Sequence, residues 1–109
     1  MKSVIYSGRL KRLKPVLIRR ISGSSMEPAL IESRLIIASS LIKPRIGRVA
    51  IIKHDGMEKV KRIAMYDSGR LYLLGDNAKK STDSRHFGWV DGNNLLGIVL
   101  WPRTKKKIE

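Results

Sequence analysis

Apolar residues in this chain come in short runs separated by turn-forming residues. LIIASSLI (35–42) and VAIIK (49–53) are bounded by Pro44 and Gly47, and their length and β-branched content predict strands rather than helices. In EKVKRIAMY (58–66), alternation puts Val60, Arg62 and Ala64 on one face of a strand and Lys59, Lys61 and Ile63 on the other. DSG (67–69) is a turn signal, and RLYLLG (70–75) follows as the returning arm of a hairpin. NLLGIVLWP (94–102) predicts a buried strand closed by Pro102, and PVLIRRI (15–21) a strand despite its poor alternation. No amphipathic helical period is present. About six or seven mostly antiparallel strands, with turn residues roughly every eight to twelve positions, predict an all-β domain: a sandwich or a partly closed barrel.

At 109 residues and 42% hydrophobic content, the chain is sized for one domain with one modest core. The expected organisation is a basic lead-in (1–20), a core (21–102) and a basic tail (103–109). Without cysteine, disulfides and thiolate metal sites are excluded. His54 and His86 stand alone, so neither a metal nor a cofactor is expected. The longest apolar run, Leu95–Trp101, is far below the roughly 20 residues of a spanning helix. The first 21 residues lack the apolar centre of an export signal. The expected location is therefore the cytoplasm or the periphery of a membrane.

Charge adds a partner class. Twenty-three Lys and Arg against nine Asp and Glu give a net +14, concentrated in GRLKRLKPVLIRR (8–20) and PRTKKK (102–107). Such a field favours anionic partners: nucleic acid, acidic headgroups or acidic peptide. Nucleic acid is the weaker reading, because only 6% of residues are aromatic and none form a stacking platform. The basic ends suit peripheral contact with anionic membrane, at about 1 kcal/mol per basic residue near the surface.

Two stretches carry candidate chemistry. In SGSSMEP (22–28), small polar residues mark a turn, and Pro28 restricts the backbone that presents Ser25. A turn alone would explain it. The second stretch, GDNAKKSTDSRHFGWV (75–90), holds Asp76, Asn77, Ser81, Asp83, Ser84 and Arg85 within ten positions. That is more polar side chains than a hairpin loop requires. On an extended chain Asp83 and Arg85 share a face and pair.

SGSSMEP, then VKRI (60–63), then LGDNAKKSTDSRHFGWV resemble, in order, the three boxes of the type I signal peptidase family of serine endopeptidases. The compact chain, with only Ile63–Leu74 between the Lys-Arg dipeptide and the third box, is most similar to the branch that includes nickel superoxide dismutase maturation proteases. The resemblance implies that Ser25 is the nucleophile and Lys61 its general base. It further implies that Ser81 orients Lys61, and that Asp83 and Arg85 form a supporting pair. For the oxyanion, the Ser25 N–H is one donor, and Gly23 or Ser22 marks the place of a second. The substrate implied is an extended segment of a partner polypeptide, a signal or pro-segment with small residues before the cut, bound by β-addition.

The chemistry is coherent without the family. A serine hydroxyl needs an adjacent base. Lysine serves only when unprotonated, so its pKa must fall from about 10.4 toward 7, a cost of about 4 kcal/mol to the ammonium form that burial can supply. Lys59, on the same face, is the rival base. Two other readings stand beside this one: a self-cleaving domain like those of LexA-type repressors, and a basic nucleic-acid-binding β domain without catalysis.

Overall fold

The computed structural model describes residues 15–104. Most of the expected lead-in and tail, residues 1–14 and 105–109, lies outside the described residues. Seven strands form one sheet: β1 (Val16–Arg20), β2 (Leu35–Ser39), β3 (Val49–His54), β4 (Met57–Asp67), β5 (Arg70–Leu74), β6 (Val90–Asp91) and β7 (Leu95–Trp101). Their order is β1-β2-β7-β3-β4-β5-β6, every pairing antiparallel. The all-β expectation holds, in the form of one sheet that is not closed into a barrel. β1 lies within the expected lead-in, yet it is paired along its whole length with β2.

Local sequence explains the hairpins. Ser68 and Gly69 both adopt positive φ between β4 and β5, and Asp67 pairs with Arg70 across the turn. Asp55 and Gly56 do the same between β3 and β4. β3 is the central element. Its VAII run is buried at four successive positions, as for a strand covered on both faces. Val49 and Ile51 join Met26, Leu30, Ile36 and Val99 in one cluster; Ala50 and Ile52 join Ile63, Leu71, Leu73 and Ile98 in a second. Ala50 opposes Lys61 and Ile52 opposes Lys59, so both lysines sit on the face of the second cluster.

Two local expectations need correction. Residues Ser84–Phe87 are not extended but form a short helix, α1, because Asp83 caps it: its carboxylate accepts the Arg85 N–H, while the His86 ring accepts the Asp83 N–H. Trp101, expected in the core, is 47% exposed beneath the Arg34 guanidinium, because it ends β7 beyond the buried part of the sheet. Pro28 is exposed, whereas Met26 beside it is buried.

The sheet also curls. β1 and β4 are not neighbours in the sheet, yet Arg19 and Glu58 form a two-point ion pair between them, at 2.7 and 3.0 Å. That contact frames one side of a cleft between the two strands.

Candidate active site

The cleft has a volume of about 310 Å³, and Ser25, Lys61, Ser22, Lys59, Glu58 and Arg19 are among the residues that line it. Two segments far apart in sequence meet here. The turn after β1 supplies Ser25, seated by its neighbours Met26 and Leu30, which are 1% and 0% exposed in the first core cluster. The Leu30 N–H donates to the Met26 carbonyl, giving the turn a helical twist. The loop after β5 grips this turn from the other side: Asn77 N–H donates to the Ser25 carbonyl at 2.8 Å, and Asn77 Nδ2 to the Ser24 carbonyl at 3.0 Å.

Gly75 makes that approach possible. A Cβ at this position would lie 2.8 Å from the Ser25 carbonyl oxygen and would overlap the Ser81 side chain. Nothing larger than hydrogen fits between Ser25 and Ser81.

Lys61 is 6% exposed, and Nζ donates to Ser81 Oγ at 3.2 Å. Burial pushes its pKa below the ordinary lysine range, Asp83 pulls it partly back, and the charges of Lys59 and Arg85 lower it further. Ser81 Oγ donates to Asp83 Oδ2 at 2.7 Å. A hydroxyl has one proton; with that proton committed to Asp83, Ser81 can only accept from Lys61. The amine is thereby turned so that one of its N–H bonds serves Ser81, and, when neutral, its lone pair is left for another donor. Among the described residues no hydrogen bond joins Lys61 Nζ to Ser25 Oγ, although both face the same cleft.

Asp83 is fully buried and heavily bonded. Burial acts to raise its pKa, but this is outweighed by hydrogen bonds from Arg85, the Gly75 N–H and Ser81, and the carboxyl is held below the usual carboxylate range. Arg85 contributes Nε at 3.0 Å and Nη2 at 2.6 Å. An ionised Asp83 is what fixes the direction of the Ser81 hydroxyl. Lys59, the rival amine, lies two residues along β4 and is half-buried. Its Nζ is 3.1 Å from His54 Nδ1 and 4.8 Å from the Phe87 ring centroid. Neither histidine lines the cleft that holds Ser25. Ser22 lines it; Gly23 is exposed and holds a φ of 85°.

Residues 55–103 match the family model described as signal peptidase, peptidase S26. Over that stretch, just under half of the chain, the sequence is similar to the signal peptidase S26 family. Signal peptidase I of Bacillus caldolyticus is 41% identical over 49 residues, which cover 42% of this chain and 27% of that protein. The chain thus spans about a quarter of the length of the curated relative it matches. The signal peptidase stretch contains Lys61, Ser81, Asp83 and Arg85; Ser25 lies before it.

Sequence reasoning missed one element of the signal peptidase stretch. Arg62 projects away from Lys61 and holds Asp76 through two contacts of 2.8 Å, while also donating to the Gly47 carbonyl at 2.7 Å. Both side chains of this pair are 4% exposed. The Lys-Arg dipeptide thus serves two faces: Lys61 enters the cleft, and Arg62 clamps the start of the loop that carries Ser81. A larger cavity of about 500 Å³ lies beside Arg62, Asp76 and Ala64, and neither Ser25 nor Lys61 lines it. Arg62→Ala removes the cation paired with a buried carboxylate, and a loss of about 3–5 kcal/mol is expected in denaturant unfolding.

Among the described residues, no group of His, Asp and Glu could hold a metal ion, and no helix is long and apolar enough to cross a membrane.

Proposed function

We propose that this chain is a serine endopeptidase in which Ser25 attacks a peptide carbonyl and Lys61 takes its proton. The observation that carries the reading is the buried Lys61 amine, oriented by Ser81 in the cleft that Ser25 lines. A neutral amine there accepts the Ser25 proton as the C–O bond forms, then returns it to the leaving amine. Water, activated by the same base, hydrolyses the acyl-enzyme. Catalytic hydrogen bonds are often long in the absence of substrate, so an apo contact between Ser25 and Lys61 is not required. Ser81, Asp83 and Arg85 act as positioning residues behind the base.

The Ser25 N–H is the first oxyanion donor, and Ser22, which faces the cleft, is preferred to Gly23 as the source of the second. The substrate is an extended segment of a partner polypeptide, with small residues before the cut, laid between β1 and β4 as an added strand. The end of β1 and the start of β4 both line the cleft, which supports that placement. Peripheral contact with anionic membrane is part of the same reading. It is supported by the +14 net charge and by exposed Ile18 and Trp101 beside Arg34.

The test is chemical. Protein mixed with a reactive peptide ester and quenched in acid should carry the acyl group on Ser25, located by mass spectrometry of its fragments. Acylation confined to another residue, or hydrolysis of peptides with no acylated protein at any time point, contradicts the reading.

A further inference from the structure

The charges lining the cleft are unbalanced. Arg19 is neutralised by Glu58 across the cleft, at 2.7 Å. Arg20 also lines it, and its guanidinium donates to an uncharged group, the Ser33 carbonyl, at 3.0 Å. Lys59 is likewise held by uncharged partners: the His54 ring at 3.1 Å and the Phe87 ring face at 4.8 Å. Asp55 lies 3.7 Å from the His54 ring, with an 81% exposed side chain, and no ion pair joins Lys59 to a carboxylate among the described residues. With Lys61 neutral, three cations face one carboxylate.

Lys59 is also placed along the direction a substrate would run. It lies on the same face of β4 as Lys61, two residues away, a displacement of about 7 Å along the strand. A peptide laid along β4 advances two residues over the same distance. A side chain about two or three positions from the scissile bond therefore comes within reach of the Lys59 ammonium. Because Lys59 is half-buried and oriented by His54 and Phe87, a carboxylate entering there gains a charge-assisted hydrogen bond to a cation that is already positioned.

Building on the peptidase reading, we infer that the cleft selects peptide segments with an acidic side chain two or three residues from the cut, and that Lys59 is the specificity-determining cation. Arg20, at the β1 side of the same cleft, adds to the field without an oriented contact of its own. Lys59 is thus a recognition residue rather than a second base.

Three fluorescein-labelled decapeptides test this. They share an Ala-rich centre and carry Asp, Asn or Lys at the flanking positions. Wild-type kcat/KM is expected to fall in the order Asp, Asn, Lys, with Asp favoured over Asn about tenfold and the preference shrinking at high ionic strength. In Lys59→Gln the Asp/Asn ratio should drop to about one, in Lys59→Arg it should return, and in Lys59→Glu the Lys peptide should become the best substrate. The readout is a ratio within each variant, so a general loss of activity does not imitate it. An equal wild-type ratio, or a ratio that survives Lys59→Gln, overturns the inference while leaving the peptidase reading intact. If no peptide is cleaved, anisotropy with Ser25→Ala decides. Tighter binding of the Asp peptide, lost when Lys59→Gln is added, upholds the acidic subsite although the peptidase reading falls; equal binding overturns the subsite.

Discussion

Ser25→Ala and Lys61→Met should each lower peptide cleavage by roughly 10⁴- to 10⁶-fold, and the double variant should lose no more than the worse of the two. In the proposed mechanism the two side chains perform one event. Without the hydroxyl, the amine has nothing to deprotonate; without the amine, the hydroxyl stays protonated at neutral pH. If the residues acted independently, their effects would multiply. Steady-state kinetics of the four proteins on one peptide measures this directly.

Lys61→Met should also change stability, in the opposite direction from activity. Burial holds the Lys61 pKa below its unfolded value. Between the two values the unfolded chain binds more protons than the folded one, so wild-type stability rises with pH across that window. Below it, folding must carry a buried ammonium. Methionine removes that penalty at similar volume, so the variant should be the more stable protein at neutral pH, by on the order of 1 kcal/mol. The gain should fade as pH rises into the ordinary lysine range. Urea unfolding of both proteins at a series of pH values would show the convergence.

Gly75→Ala is the second large effect, and it needs no change in any polar group. The new methyl would sit 2.8 Å from the Ser25 carbonyl and collide with Ser81. Because Ser81 is held by Asp83 and Ser25 by Asn77, the strain must spread the turn and the loop apart. Overpacking of this kind costs about 1–3 kcal/mol. A displacement of about 1 Å between reacting groups can cost about a hundredfold in rate. The expected result is therefore a folded protein with kcat reduced by about 100-fold or more. Retention of full activity would mean that the approach of the two segments is not needed for the reaction.

Much of the fold could be read from local pattern. The DSG and Asp55-Gly56 turns fix both hairpins of β4, and strict alternation then separates Lys61 from Arg62. VAII reads as a strand because burial on both faces needs four consecutive apolar residues. The parts that could not be read are those set by distant partners or by competing local bonds. Alternation makes residues 83–85 extended, but Asp83 and His86 close a capping box and wind the next four residues into α1. NLLGIVLW reads as buried throughout, yet its last two residues run past the core and leave Trp101 under Arg34. The Arg19–Glu58 bridge depends on the curl of the sheet, which no window of sequence contains. At the candidate site, the motif singled out residues but not the hydrogen bonds that join them. That Ser81 must accept rather than donate follows only once Asp83 is seen to take its proton.

The measurement that bears most directly on this account is the titration of the Lys61 amine itself, followed by NMR in protein with isotopically labelled lysine and assigned through Lys61→Met. The account predicts one lysine that loses its proton below the range of the others, with activity rising along the same curve. A Lys61 amine that titrates together with the exposed lysines, in a protein that still cleaves peptides at neutral pH, would contradict it.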